Sequence, residues 1–154
     1  PGYWHHSDYL EINDRGGVKI FGRSDTTLNP GGVRIGTSEI YQAVDRITEI
    51  EDSLVIGQTW ENDERIILFI KLSNENCLTQ EFTAHVQQTI RETCSPRHVP
   101  AKVIQVEDIP YTINGKKVEL AVKQIVQNET VKNKDSLANP EVLDYYKNLT
   151  EILI

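Results

Sequence analysis

Residues 53–72 read SLVIGQTWENDERIILFIKL. Ser53-Leu54-Val55-Ile56-Gly57 is a short apolar run of the kind that forms a buried strand, and Arg65 to Leu72 is a second, longer one. Glu61-Asn62-Asp63-Glu64 between them is a polar turn. Upstream, Thr37 or Ser38 is placed to cap a helix whose apolar face is Ile40, Val44 and Ile47, at i, i+4 and i+7. Downstream, Thr79 caps a helix carrying Phe82, Val86 and Ile90, and Pro96 and Pro100 bracket its exit. Lys102 to Val106 alternates as a third strand, Asn114-Gly115 favours a tight turn, and Val118, Ala121, Val122 and Ile125 mark a last core-facing helix. Near the start, Tyr9 to Ile12 and Val18 to Phe21 flank Asn13-Asp14-Arg15-Gly16-Gly17 and predict a β-hairpin. The order is hairpin, loop, helix, strand, strand, helix, strand, helix, which predicts an α+β domain with a short sheet covered by helices. Beyond residue 127 the composition turns polar, predicting a mobile tail with a short helix near Pro140 to Tyr146.

The whole chain of 154 residues is 38% hydrophobic and 25% charged, enough apolar matter for a packed core and too little polarity for wholesale disorder. A net charge of −7 argues against non-specific binding to nucleic acid or to an anionic membrane. No apolar run approaches the ~20 residues that span a bilayer, and no basic-then-apolar leader opens the chain. Cys77 and Cys94 are too few for a disulfide framework and too far apart for a Cys-x-x-Cys motif. Two free thiols in a reducing compartment, the cytoplasm, are the expectation. The chain has no methionine and begins Pro1-Gly2-Tyr3-Trp4, which reads as sequence from within a longer polypeptide.

Two stretches carry candidate chemistry. In Thr112-Ile113-Asn114-Gly115-Lys116 a lysine after a glycine turn, next to a helix start, can aim an ammonium at a phosphate; a solvated lysine is the plainer reading. It is not a P-loop, because the full Gly-x-x-x-x-Gly-Lys-Ser/Thr string is missing. The second stretch, Gly22 to Gly36, holds four glycines and Pro30 with Arg23 and Arg34, a composition that lets backbone approach a ligand closely while arginines meet phosphate or ribose. A turn-rich connector with solvated arginines is the alternative. Asp25, where the chain leaves the hairpin, suits a hinge. His5 and His6 are adjacent, so in a strand they point to opposite faces and joint metal ligation is awkward; no metal site is expected. His85 and His98 are isolated. Asn128-Glu129-Thr130 and Asn148-Leu149-Thr150 match a glycosylation pattern that needs a secretory context.

Gly22-Arg23-Ser24-Asp25, Gly32-Val33-Arg34-Ile35-Gly36 and Ser38-Glu39-Ile40 together resemble the hinge and glycine loop of the acyl-adenylate-forming (AMP-binding) enzymes, and Pro110-x-Thr112-x-x-Gly115-Lys116 resembles the catalytic-lysine motif near their C-terminus. Residues 22–41 (GRSDTTLNPGGVRIGTSEIY), 95–100 (SPRHVP), 109–125 (IPYTINGKKVELAVKQI) and Asn139-Pro140-Glu141 are most similar to the branch that ligates acetoacetate to CoA. The resemblance covers almost the whole chain. It implies a small C-terminal lid domain with a short mixed sheet flanked by helices, preceded by a β-hairpin from the end of a large N-terminal domain. On this reading residues 1–24 end the large domain, 25–127 form the lid, and 128–154 are the polar tail.

The resemblance also implies a chemistry. Such enzymes activate a carboxylate with ATP to an acyl-adenylate and pyrophosphate, then turn the lid and pass the acyl group to CoA. Lys116 matches the lysine that stabilises charge during adenylation. Asp8 and Arg23 match residues that meet the ATP ribose, and Arg34 a nucleotide phosphate contact. Asp25 falls on the hinge, Gly32 beside the pantetheine channel, and Arg91 on a CoA phosphate contact. Mg²⁺ would be held with ATP by the N-terminal domain. Implied partners are that domain and the small molecules acetoacetate, ATP and CoA, with no nucleic acid and no membrane. The sequence departs from the pattern at His6-Ser7, where Thr-Gly usually precedes the aspartate, and at Glu119 and Leu120, where an arginine often follows the lysine. An acetyl- or propionyl-CoA synthetase, or a non-catalytic module of the same fold, remains the alternative. The isolated segment is expected to be inactive.

Overall fold

The structure is a computed structural model that describes residues 8–23, 26–73, 76–131 and 134–152. The first two strands, β1 (Asp8–Ile12) and β2 (Val18–Arg23), pair antiparallel as the turn chemistry between them predicts. The Asn13 side-chain oxygen closes that turn by accepting from the backbone N–H groups of Arg15 (3.0 Å) and Gly17 (2.8 Å).

A three-stranded mixed sheet follows, built from β3 (Ile50–Trp60), β4 (Asp63–Leu72) and β5 (Lys102–Gln105). Strand β4 is central, antiparallel to β3 and parallel to β5. Both long strands extend past the apolar runs that mark them in sequence. Gln58, Thr59 and Trp60 pair with Arg65, Glu64 and Asp63, and the Arg65 guanidinium lies 3.6 Å over the Trp60 ring while its Nε donates to Gln58. The connection shrinks to Glu61 and Asn62, both at positive φ (47° and 67°), as a two-residue hairpin turn requires.

Side chains alternate across the sheet, and both faces are covered. Leu54 and Ile56 of β3 with Ile67 and Phe69 of β4 pack against α3 (Glu119–Val126) through Val122, Ile125 and Val126. Val55 with Ile66, Leu68 and Ile70 pack against α1 (Thr37–Val44) and α2 (Gln80–Thr93) through Ile40, Val44, Val86 and Ile90. A strand buried on both faces needs an unbroken apolar run, which is why Ile66 to Ile70 carries no polar residue. Helix α2 is capped by Thr79, whose side chain accepts from Phe82 N–H at 3.1 Å, as expected.

Two expectations do not hold. Neither Thr37 nor Ser38 caps α1: the cap residue is Gly36, which has no side chain to accept a bond. The reciprocal Leu28–Ile35 backbone bonds (2.9 Å each) end the extended segment at 35, so the helix begins a residue early. The chain beyond 127 is not a mobile tail over 134–152. Leu137, Val142, Leu143, Tyr146 and Ile152 complete the cluster around Phe69, mostly from a 3-10 segment, Pro140–Asn148. The Tyr146 ring meets Phe69 edge-on (centroids 4.9 Å apart, 79° between planes), and its hydroxyl donates to Asp108 C=O at 2.9 Å. The polar composition hid five apolar side chains on one face. Burying each contributes roughly 1.5–3 kcal/mol for a side chain of this size.

Candidate functional site

Lys116 closes a turn that the backbone defines tightly. Thr112 N–H donates to Lys116 C=O (2.8 Å), Gly115 N–H to Thr112 C=O (2.8 Å), and Lys116 N–H to the Thr112 hydroxyl oxygen (3.1 Å). Gly115 sits at φ +72°, a conformation that favours glycine and explains the Asn-Gly pair. The Lys116 side chain is exposed, and its ammonium meets no hydrogen-bond or ion-pair partner among the described residues.

The neighbouring lysine is spent differently. Lys117 Nζ donates to Asp52 Oδ1 at 2.7 Å and to the Ser53 carbonyl, and lies 4.5 Å over the Tyr41 ring. Tyr111, the cross-turn bridge partner of Lys117, donates its hydroxyl to the other Asp52 oxygen at 2.6 Å. Both residues at the base of the turn are therefore bolted to one carboxylate of β3. Burial first, then Asp52, pushes the Tyr111 phenol well up, so it stays a donor. Tyr41 is raised too, by burial and then Glu119; it donates to Glu119 (2.9 Å) and accepts from Val55 N–H (3.1 Å). On its other side the turn is held by Ile113 N–H to Ser136 C=O (3.0 Å) and Ala138 N–H to Tyr111 C=O (2.9 Å). Of two adjacent lysines, one is fastened and the other projects.

The glycine loop is fastened elsewhere. Its turn, Pro30–Gly32, places Gly31 and Gly32 at φ +58° and +76°. Asp63 accepts from Gly31 N–H (3.0 and 3.1 Å), and Glu64 accepts from Asn29 N–H (2.6 Å) and from Lys123 Nζ (2.8 Å). The Glu64 carboxyl lies over Gly57, where an added Cβ would fall 2.6 Å from Oε2. At Gly32 a Cβ would meet nothing within 4 Å among the described residues. The space there is open, and positive φ is what disfavours a side chain.

The two loops hang from opposite ends of the β3–β4 hairpin: Asp52 near the start of β3, and Asp63 beside the turn, paired with Trp60. The eight residue-to-residue steps from Asp52 to Trp60 span about 27 Å at the strand's ~3.4 Å rise. The remaining site residues stand apart. Asp8 and Arg23 are direct partners in the β1–β2 ladder. Arg34 and Arg91 are exposed, the first after the glycine turn and the second in the last turn of α2. Asp25 lies outside the described residues. His98 bridges the Ser95 hydroxyl and Glu39 (2.8 Å each), tying the exit of α2 to α1. Both cysteines are unpaired, and burial raises the Cys94 thiol. Among the described residues no helix is long and apolar enough to cross a membrane.

No family model matches the chain. Whole-chain comparison is more informative. It is 52% identical over 149 residues to acetoacetyl-coenzyme A synthetase of Rhizobium meliloti (strain 1021), covering 97% of this chain and 23% of that protein. The acetoacetyl-CoA synthetase of Danio rerio is 48% identical over 154 residues, 99% of this chain and 23% of its own. The solved structure of acetoacetyl-CoA synthetase from Streptomyces lividans superposes with a TM-score of 0.84 at 38% identity, over 98% of this chain and 23% of that one.

The chain is homologous to the C-terminal part of the acetoacetyl-CoA synthetases.

It spans about a quarter of the length of the relatives it matches, and its mixed sheet with flanking helices corresponds to the C-terminal domain of these acyl-adenylate-forming enzymes. Sequence reasoning finds Lys116 and the glycine loop but misses their supports. Asp52, Tyr111 and Lys117 carry no motif of their own. Gly57 does leave a signal, since a glycine inside a strand marks a close approach, here by Glu64.

Proposed function

We propose that this chain is the C-terminal part of an AMP-forming acetoacetate–CoA ligase, with Lys116 as its catalytic lysine. The observation that carries the reading is the division of labour between adjacent lysines. Lys117 is consumed by Asp52, Ser53 and Tyr41, while the Lys116 ammonium is exposed on a fixed turn and unpartnered among the described residues. That arrangement suits a group delivered to a substrate held by another domain. The relatives' names and the near-complete coverage of this chain support the branch.

The residues perform as follows. Attack of a carboxylate on the ATP α-phosphate adds negative charge to the phosphorus oxygens. An ammonium aimed at them stabilises the transition state more than the ground state, and loss of such a contact costs roughly 10² to 10³ in rate. Asp8 and Arg23 meet the ribose from one register position of the hairpin. Arg34 contacts nucleotide phosphate. A swivel at Asp25 withdraws Lys116 and presents the Gly32 loop, beside which the CoA thiol enters, with Arg91 toward a CoA phosphate. Loops held about 27 Å apart along one hairpin suit a lid that presents them in turn. Magnesium would be held with ATP by the N-terminal domain, where it would supply screening of the phosphate charge. The setting is the cytoplasm, and the partners are that domain, acetoacetate, ATP and CoA.

The test is a substrate screen of the full-length enzyme, following pyrophosphate release with acetoacetate, acetate and propionate. Preference for acetoacetate is expected; preference for either other acid would reassign the branch. Lys116→Ala should abolish acetoacetate-dependent pyrophosphate exchange and spare CoA transfer from preformed acyl-adenylate. Equal damage to both steps would refute the lysine's role.

A further inference from the structure

An ammonium on a four-carbon stem aims no better than the backbone that carries it. The Lys116 turn has a fastening that is polar, specific and contributed by another element. Tyr111 and Lys117 are bridge partners at the base of the turn, and each takes one oxygen of Asp52 (2.6 and 2.7 Å). The Lys117 ammonium also binds the Ser53 carbonyl and the Tyr41 ring face, and Tyr41 is itself pinned to Val55 N–H and Glu119 at the start of α3. Asp52 and Lys117 are about equally shielded, with side chains 23% exposed.

We infer that Asp52, Lys117 and Tyr111 are positioning residues for adenylation: they hold the 112–116 turn on β3 so that Lys116 is presented in one place. The inference deepens the functional reading above and rests on it. None of the three residues is placed on a substrate. They act through Lys116, so their loss should reach the adenylation step alone. The glycine loop is held about 27 Å away by Asp63 and Glu64, and the thioester step has no use for the lysine turn's aim. A displacement near 1 Å at a charge-stabilising group is worth up to about 100-fold in rate.

The experiment uses the full-length enzyme with Asp52→Asn, Lys117→Met, Lys117→Arg and Tyr111→Phe, and Lys116→Ala as the reference. Two half-reactions are read separately: acetoacetate-dependent pyrophosphate exchange, and CoA transfer from synthetic acetoacetyl-adenylate. Asp52→Asn and Lys117→Met are expected to lower kcat for exchange about 10- to 100-fold, with the KM for ATP within twofold and CoA transfer within twofold. Lys117→Arg, which keeps a cation for Asp52, should recover most of the exchange rate. Tyr111→Phe removes one bond and keeps the ion pair, so it stays interpretable if the stronger variants fail to fold; a loss of about three- to tenfold is expected. Parallel loss of both half-reactions would mean a scaffold role only and would overturn the inference, as would unchanged exchange in Tyr111→Phe and Asp52→Asn. If Lys116→Ala itself leaves exchange intact, the functional reading fails; if Lys116→Ala abolishes exchange and the three neighbours do not affect it, the inference fails alone.

Discussion

Replacing Gly57 by alanine tests how the glycine loop is held. The new methyl would fall 2.6 Å from Glu64 Oε2, and real Cβ atoms do not approach other atoms that closely. The carboxyl is the end of a flexible chain, so it moves and the strand stays. Moving it breaks the bond to Asn29 N–H (2.6 Å) and the contact with Lys123 Nζ (2.8 Å). A hydrogen bond to a charged group is worth about 1.5–3 kcal/mol. The ion pair, with side chains 29% and 16% exposed, adds on the order of 1 kcal/mol or less. Alanine is better than glycine in a strand by roughly 0.5–1 kcal/mol. The net expectation is a destabilisation of about 2 kcal/mol, roughly 4–8 °C in Tm for a chain of this size. The sign should reverse once Glu64 is gone: with Glu64→Ala in place, Gly57→Ala should stabilise by about 0.5–1 kcal/mol. Urea unfolding of wild type, both single variants and the double variant, followed by tryptophan fluorescence at constant m, measures the coupling. Equal destabilisation in both backgrounds would show that something other than Glu64 rejects the methyl and would refute the reasoning.

Gly32→Leu should cost about 1 kcal/mol from positive φ and no more, since its side chain meets open space among the described residues, yet it should slow CoA transfer while sparing pyrophosphate exchange in the full-length enzyme; an unimpaired thioester step would count against the channel role. Tyr146→Phe removes the donor to Asp108 C=O and should cost about 1–2 kcal/mol, and Tyr146→Ala about 3–5 kcal/mol by opening a cavity beside Phe69; urea midpoints equal to wild type would mean that residues 134–152 are not part of the core. Stability should fall in alkali. Burial raises the Tyr41 and Tyr146 phenols, so above pH 10 the folded state holds protons that the unfolded state releases. Unfolding free energy then declines by about 1.4 kcal/mol per pH unit for each. Tyrosinate absorbance and circular dichroism recorded from pH 9 to 12 check this, and a flat profile through pH 11 would contradict it.

Much of the fold was legible because local chemistry wrote it. Thr79 caps α2, Asn13 closes the first hairpin, Asn114-Gly115 makes the lysine turn, and the run Ile66 to Ile70 announces a strand buried on both sides. Each is a short-range matter of dihedral preference or apolar periodicity. The same is true of where a hairpin can shrink to two residues, but Glu61 and Asn62 give weaker signals for positive φ than Asn-Gly does, and the strand ends were read short. Over residues 134–152 the short helix near Pro140 was legible, but its packing into the core was missed for a different reason. Their apolar side chains are spaced for a 3-10 segment among many charges, and the composition of the stretch conceals the one face that Phe69 and Ile109 receive.

By itself the sequence marked most of the elements, the glycines that bend the chain, and the two loops that are candidates for the chemistry, because those depend on neighbours within a turn or two. Tertiary structure alone decided which of the adjacent lysines is fastened and which is offered, and that the lysine and glycine loops sit at opposite ends of one hairpin. Those outcomes depend on Asp52, Asp63 and Glu64, which lie tens of residues away in the chain and reach their partners only once the sheet has paired.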